Sequence, residues 1–247
     1  MRLTRVYVDA ALAADTIVEL PRETASHLAK VLRARSGDPL VLFSGDGREY
    51  TGAVESVRGS RVTAAVGAAA DVDRESPFAI TLVQCVPRGD RMDFIVQKAT
   101  ELGVARIVPV LSQRSVVRLD ESQKVSKATH WRAVAVSACE QCGRNRLPVI
   151  ETPAPLIEYL ANSQAAAPRL VLEPDLEPAA ALGSLDAAVE IAIGPEGGFG
   201  DGELDAFRLA GFRRVRLGPR ILRTETAAIA ALTWLQTRFG DMRASQV

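Results

Sequence analysis

The pattern of apolar and polar positions changes near residue 70. Before that point, short apolar runs are separated by turn residues such as Asp46-Gly47, a pattern typical of β-strands joined by hairpins. The predicted strands are Thr4–Val8, Pro39–Ser44, Tyr50–Val57 and Arg61–Val66, and one helix, Thr24–Arg35, ends at Gly37. The pattern predicts a small β-barrel domain over residues 1–70.

After the polar, aperiodic run 67–77, strands and helices alternate. The first strand, Phe78–Val86, is almost continuously apolar, as expected for a strand covered on both faces. Asp90 is the predicted N-cap of the helix that follows, and Gly103 ends it. The later strands are Arg106–Leu111, Leu170–Glu173, Val189–Ile193 and Val215–Leu217, and the later helices are Lys124–Cys142 and Ala227–Arg238. Repeated β-α alternation predicts a parallel sheet in a second domain, 77–247.

Two of these strands run straight into loops that contain Gly-Pro. The loop 194–198 reads GPEGG, and the loop after the last strand begins at Gly218. The carboxyl ends of parallel strands open into a crevice that binds ligands, so we expect the two loops to meet there. Glycine lets the backbone approach a flat ligand closely. The first loop matches neither a phosphate-binding nor a dinucleotide-binding motif, and a plain structural turn is the alternative.

The second loop places a cation, a carboxylate and two hydroxyls in four consecutive residues. These are Arg223, Thr224, Glu225 and Thr226, directly before the last helix. One interpretation is structural: Thr224 or Thr226 would cap the helix, and Glu225 would be a favourable charge in its first turn. The other interpretation is that both loops form one binding site.

Charge and cysteine content limit the kinds of partner. The formal net charge is zero, but we count eleven basic and six acidic residues in 80–150, which favours a local patch for phosphates. Three cysteines are too few for a disulfide framework, and Cys139 and Cys142 lie inside a helical pattern, which disfavours a redox or metal site. No apolar run approaches the roughly 20 residues that cross a bilayer, so we expect a cytoplasmic protein without a membrane partner.

The chain resembles the knotted, SPOUT-class RNA methyltransferases, in particular the group that methylates N3 of uracil in 16S rRNA. The resemblance rests on IGPEGGF (193–199), LGPRILRTETAAIAAL (217–232), KATELGVARIVPVLSQRSVV (98–117) and ACEQCGRNRLP (138–148), and it covers most of the chain. It implies an α/β fold in which a PUA-like β-barrel domain (1–70) precedes a trefoil-knotted SPOUT methyltransferase domain (77–247). Without the resemblance, the alternation alone would predict an ordinary doubly wound sheet, because threaded chains are rare.

The resemblance also implies a cofactor, S-adenosylmethionine (SAM), and no metal. The residues expected to bind SAM are Leu172, Glu173, Gly194, Pro195, Glu196, Gly197, Gly198, Leu217, Gly218, Ile221, Leu222, Thr224 and Thr226. Arg223 is expected to stabilise negative charge on the uracil oxygens, since a guanidinium stays charged and donates in a fork. Glu225 is expected to accept the N3 proton or, more readily, to orient Arg223.

RNA contact is expected from two groups of basic residues. His27, Lys30 and Arg33 share a face of the first helix, and a merely solvated face is the alternative. The others are Arg88, Arg91, Arg114, Arg144 and Arg146, each of which could instead be an ordinary surface charge.

The implied partners are 16S rRNA, within the small ribosomal subunit, and a second copy of the chain in a homodimer. Two other functions are compatible with the sequence: a related SPOUT methyltransferase acting on tRNA or on a ribose 2′-OH, and a non-catalytic RNA-binding assembly protein. Binding of SAM would separate the last of these from the enzymes.

Overall fold

The computed structural model describes residues 3–163, 167–174 and 185–243. The chain divides into two compact units, one formed by Met1–Glu75 with Val136–Leu147 and the other by Ser76–Ala135 with Pro148–Val247. The segment 136–147 therefore belongs to the first unit although it follows much of the second in sequence. The linear domain boundaries at 70 and 77 stay predictions.

The first unit contains a five-stranded sheet and one helix. Its elements are β1 (Thr4–Tyr7), β2 (Thr16–Glu19), α1 (Arg22–Lys30), β3 (Pro39–Phe43), β4 (Glu49–Arg58) and β5 (Arg61–Ala70), with the strands in the order β1-β3-β4-β5-β2. Alternate residues of β5, such as Val62 and Ala64, are buried, which places its apolar face on a core that includes Leu28 of α1. Strand β2 escaped prediction because it is largely exposed and lacks this alternation.

The helix α1 ends at Lys30, five residues before the predicted end at Arg35. Arg33 lies beyond the helix and has a left-handed backbone with φ 52°. The prediction that it shares a helical face with His27 and Lys30 is therefore wrong.

Glu140, in the segment 136–147 of the first unit, is a partly buried carboxylate whose ionisation opposes folding. Burial raises the pKa of Glu140, although a hydrogen bond from the Tyr7 N–H (3.1 Å) and the nearby charges of His27 and Arg5 act in the opposite direction. A raised folded-state pKa means that the stability from this group is fully present below its ordinary value of 4.5 and is lost as the pH rises through the raised value.

We expect Glu140→Gln to raise the melting temperature at pH values above the raised pKa of Glu140, because the amide keeps an acceptor for the Tyr7 N–H without a partly buried charge. The gain should shrink as the pH falls towards 4.5. Thermal unfolding of both proteins across the pH range measures this. A variant that is less stable than the wild type at neutral pH would contradict the argument.

The second unit is built on a parallel sheet. Its elements are β6 (Ala79–Cys85), α2 (Arg91–Glu101), β7 (Arg106–Leu111), α3 (Glu121–Cys142, whose last turns belong to the first unit), β8 (Val149–Ile150), β9 (Ala154–Pro155), α4 (Leu156–Asn162), β10 (Arg169–Leu172), β11 (Ala188–Ile193), α5 (Asp201–Leu209), β12 (Phe212–Val215) and α6 (Thr224–Arg238). The strand order is β12-β10-β11-β6-β7-β8, with β9 also beside β7, and these neighbours pair in parallel. The predicted parallel α/β sheet is confirmed.

Helices cover both faces of this sheet, which explains why its central strands read as continuous apolar runs. Leu82 of β6 packs in one core cluster with residues of α2 and α6, and its neighbour Val83 packs in the other with residues of α4 and α5. The helices α4 and α5 were not predicted. The trefoil knot, which the resemblance implies, stays a prediction.

Several predicted element ends differ from the structure. Strand β12 ends at Val215, so Leu217 lies in the loop, and α6 begins at Thr224 rather than at Ala227. Asp90 does precede α2, but its side chain makes no capping hydrogen bond. None of the helices among the described residues is long and apolar enough to cross a membrane.

Candidate active site

A pocket of about 330 Å³ lies where β10, β11 and β12 end. Because these three strands run parallel, their following loops begin at the same edge of the sheet. The pocket is lined by Arg114, Leu172, Glu173, Pro174, Ile193, Gly194, Pro195, Glu196, Gly197, Gly198, Phe199, Leu204, Leu217, Arg220, Ile221, Leu222, Arg223, Thr224 and Ala227. The structure thus brings together the two Gly-Pro loops, as the sequence predicts.

Most of the residues expected to bind the cofactor line this pocket, and two do not. Gly218 and Thr226 lie outside the lining, and both are exposed. Of the two residues expected to act in catalysis, Arg223 lines the pocket and Glu225 does not. The roles of all these residues stay predictions, whereas their places relative to the pocket are observed.

The first turn of α6 is organised differently from the helix cap considered above. Arg223 occupies the N-cap position and makes no side-chain capping bond, so the interpretation of Thr224 or Thr226 as the N-cap is wrong. Thr224 is instead a buried first-turn residue, and its hydroxyl donates to the Gly194 carbonyl at 2.7 Å. This hydrogen bond joins the start of α6 to the loop after β11.

Gln84, a residue that the sequence did not single out, completes this connection. Its side chain is fully buried at the end of β6, and its amide donates to the Thr224 hydroxyl and to the Cys85 carbonyl, both at 2.9 Å. The chain of hydrogen bonds from Gln84 through Thr224 to Gly194 holds two pocket loops at a set distance. A polar residue near the end of an otherwise apolar strand was the one sequence signal that could have identified Gln84.

A second set of contacts connects α2 to the same loops. Arg91 makes a short ion pair with Glu196, and the Arg88 N–H donates to the same carboxylate at 3.3 Å. The Arg91 Nε also lies 4.0 Å from the Glu225 carboxylate. The Arg91 guanidinium therefore lies between the carboxylates of Glu196 and Glu225. From the sequence, Arg91 was expected to contact RNA.

Glu225 has an unusual environment for a carboxylate. Its Oε2 atom is buried and has no hydrogen-bond partner within the described part of the chain. Its ion-pair partner there is Arg91 rather than Arg223. A buried acceptor without a partner is costly to folding.

Arg114 also lines the pocket. Its guanidinium donates to the Gly197 carbonyl at 3.1 Å, which fastens the segment after β7 to the Gly-rich loop. Its side chain remains exposed. It can therefore contact a ligand in the pocket or an RNA strand beside it.

The basic residues expected to contact RNA in the first unit fall into two classes. His27, Lys30, Arg33 and Arg146 are exposed. Arg144 is only 6% exposed, and its guanidinium donates to Glu75 at 2.7 and 2.9 Å. Arg144 is thus engaged inside the unit.

The same carboxylate orders the chain after α3. Glu75 accepts hydrogen bonds from the backbone N–H groups of Asn145 (3.2 Å) and Arg146 (3.1 Å). The Asn145 side chain accepts from Arg5 at 2.6 Å. Glu75 and Arg5 therefore set the course of the segment that presents Arg146 to solvent.

The C-x-x-C sequence lies at the end of α3, as predicted. The Cys139 thiol is buried and donates to the Arg146 carbonyl at 3.6 Å. A hydrogen bond with Cys142 and, to a smaller extent, burial raise the pKa of the Cys139 thiol. The thiol therefore stays protonated at neutral pH. Among the described residues, no group of three or more His, Cys, Asp or Glu side chains could hold a metal ion.

Comparison with known proteins identifies the family. A family model described as an RNA methyltransferase domain matches residues 74–236, and one described as an RNA methyltransferase PUA domain matches residues 20–66. The chain is 31% identical, over 242 residues and 98% of each sequence, to ribosomal RNA small subunit methyltransferase E of Buchnera aphidicola subsp. Schizaphis graminum. It is 30% identical over 233 residues, 91% of each sequence, to the protein of the same name from Bacillus subtilis.

A solved structure gives the same result. The crystal structure of ribosomal RNA small subunit methyltransferase E from Neisseria gonorrhoeae, bound to S-adenosyl methionine, is 36% identical to this chain. It superposes with a TM-score of 0.89 and covers 98% of this chain and 100% of that one. The chain therefore belongs to the ribosomal RNA small subunit methyltransferase E family of RNA methyltransferases.

Proposed function

We propose that this protein transfers a methyl group from SAM to N3 of a uridine in the 16S rRNA of the small ribosomal subunit. The observation that carries the proposal is the pocket at the ends of β10, β11 and β12, which combines glycine-rich loops with Arg223 in its wall. The SAM-bound relative from Neisseria gonorrhoeae supports the cofactor. The resemblance of the sequence to the methyltransferases that act on N3 of uracil in 16S rRNA supports the acceptor.

The residues of the pocket fit SAM. The volume of about 330 Å³ lies within the range of small-ligand sites. Gly194 keeps the loop close to Phe199, since a Cβ there would lie 3.3 Å from the ring, and Gly198 takes a left-handed conformation with φ 66°. Backbone groups of these loops would bind the cofactor's polar groups, and Leu217, Ile221 and Leu222 would enclose the adenine.

The chemistry needs negative charge to be stabilised on the acceptor base. Bound SAM supplies an electrophilic methyl group on its sulfonium. Transfer forms a bond between the methyl carbon and uracil N3, and it breaks both the methyl–sulfur bond and the N3–H bond, so S-adenosylhomocysteine and a proton must leave. Arg223 is an exposed residue of the pocket wall, and its guanidinium would donate to the uracil oxygens as that charge develops.

Glu225 and Arg91 would act beside Arg223. Glu225 would accept the N3 proton in this proposal, and because its Oε2 is buried and the residue lies outside the pocket lining, that oxygen must first become accessible to the base. Arg91 joins Glu225 to Glu196 on the cofactor loop and thereby holds both carboxylates in position. In this arrangement Arg91 positions the site, in addition to or in place of RNA contact.

RNA is bound by exposed basic residues in this proposal. Arg88 and Arg114 contact RNA near the pocket. His27, Lys30 and Arg33 contact RNA from the N-terminal domain, 1–70, and Arg146 contacts it from the segment after α3. Arg144 is buried and, through its ion pair with Glu75, stabilises the segment that carries Arg146. The methyltransferase domain, 77–247, acts as a homodimer, and the protein works in the cytoplasm on small ribosomal subunits.

The decisive experiment supplies labelled SAM with unmodified small ribosomal subunits, free 16S rRNA or tRNA, followed by nucleoside mass spectrometry. We expect 3-methyluridine in the small-subunit RNA. A 2′-O-methylated nucleoside, or label in tRNA alone, would overturn the acceptor. No detectable SAM binding by calorimetry would favour a non-catalytic RNA-binding protein.

A further inference from the structure

A segment of the second unit concentrates positive charge that the overall balance hides. Residues 208–223 contain six arginines and no Asp or Glu. The six are Arg208, Arg213, Arg214, Arg216, Arg220 and Arg223. The surrounding third of the chain, 151–247, is acidic, with nine basic and thirteen acidic residues by our count. We call this segment the arginine edge.

The arginine edge follows the border of the parallel sheet. Strand β12 is the terminal strand of the sheet order and pairs with β10. Arg213 and Arg214 lie side by side on this strand and are both exposed, and they point to opposite faces because strand side chains alternate. Phosphates can therefore reach the border from either side.

The arginines of the edge are only partly neutralised. Arg214 makes a short ion pair with Glu173, and Arg208 lies 3.6 Å from Asp205. Within the described residues, no carboxylate lies at ion-pair distance from Arg213, Arg220 or Arg223. The edge thus keeps a net positive charge on an otherwise acidic part of the chain.

The edge continues into the pocket. Arg220 and Arg223 line it, and so does Glu173, the partner of Arg214. Positive charge therefore extends from the border of the sheet to the place where the acceptor base would enter. An RNA strand whose base is turned into the pocket must leave its neighbouring phosphates close to this opening.

Protection of an exposed strand edge is the other known use of such charges. It accounts for Arg213 and Arg214, which lie on β12. It does not account for Arg220 and Arg223, which lie beyond the strand. Arginine also binds phosphate in a two-pronged geometry that lysine does not provide, so its sole use along this edge favours a phosphate ligand.

We propose that the arginine edge binds the backbone phosphates next to the target nucleotide and so aligns the RNA strand on the methyltransferase domain. The proposal rests on the proposed function, because it assumes RNA as the substrate. Arg213 and Arg220 would each neutralise one phosphate, whereas Arg223 would act at the base.

The test measures RNA binding against salt concentration for the full-length protein, using a fluorescently labelled fragment of 16S rRNA. Each lost phosphate contact should reduce the slope of log Kd against log salt by about 0.7. We expect Arg213→Ala to lower the slope by about 0.7 and Arg213→Ala/Arg220→Ala by about 1.4. Arg243→Ala is the matched control, since it removes one exposed arginine that lies outside both the arginine edge and the basic stretch 80–150.

Methyl transfer and SAM binding complete the test. Both edge variants should raise the KM for small ribosomal subunits, and Arg213→Ala should leave SAM affinity unchanged. An unchanged slope and KM in the double variant, with an active wild type, would overturn the arginine edge alone. An inactive wild type would instead overturn the proposed function, and the salt slopes would still report whether the edge binds RNA.

Discussion

Arg223→Ala is expected to lower the rate of methyl transfer by about 10²–10³-fold, the usual effect of removing one donor that stabilises charge in a transition state. The side chain is exposed in the pocket wall and supports no other described side chain, so SAM affinity and melting temperature should remain close to those of the wild type. Single-turnover transfer to small ribosomal subunits at saturating SAM measures the effect.

Two variants sharpen this experiment. Arg223→Lys keeps the charge but loses the fork, and it should recover only part of the rate. Arg220→Ala removes the same charge from the same loop, and it should raise KM more than it lowers kcat. If Arg223→Ala bound SAM and RNA normally and kept a kcat within about twofold of the wild type, Arg223 would have no catalytic role.

Thr224→Val is expected to weaken SAM binding by about 10- to 100-fold. The substitution keeps the shape of the side chain but leaves the Gly194 carbonyl and the Gln84 amide each short of a buried partner. Each lost buried hydrogen bond costs about 1–3 kcal/mol, and part of that cost should be relieved by displacement of the loop. Calorimetric titration with SAM and thermal unfolding measure the two consequences.

Thr224→Ser is the matched control, because it keeps the hydroxyl that both partners use. It should bind SAM nearly as well as the wild type. Gln84→Leu should reproduce part of the loss by leaving Thr224 without its donor. Equal SAM affinity in the valine and serine variants would show that the hydrogen bonds do not position the loop.

The parts of the site that follow directly from parallel strands were predictable from sequence. The pattern of Val189–Ile193 followed by Gly194 places a loop at the carboxyl edge of the sheet, and every parallel neighbour of that strand delivers its own loop to the same edge. The charged residues Arg223 and Glu225 next to the last helix were equally visible in the sequence. The helix itself begins at Thr224, earlier than the predicted start at Ala227. Hydrophobic periodicity marks where a helix is buried, and this one starts with polar residues.

Contacts between distant residues were beyond prediction. Arg91 and Arg144 were both expected to contact RNA, yet Arg91 lies between two pocket-side carboxylates and Arg144 is buried against Glu75. The sequence of a charged residue is the same whether its side chain faces solvent or a carboxylate. Its role depends on which partner the fold brings to it.

The sequence by itself determined the α/β class, the parallel sheet and the pair of Gly-Pro loops that face one another, because these depend on local periodicity and on the geometry common to all parallel sheets. Only the tertiary structure decided which side chains hold those loops. Gln84 and Thr224 are 140 residues apart, and Arg91 and Glu196 are 105 apart. Such pairs form only when the sheet order is set, and a local pattern contains no information about that order.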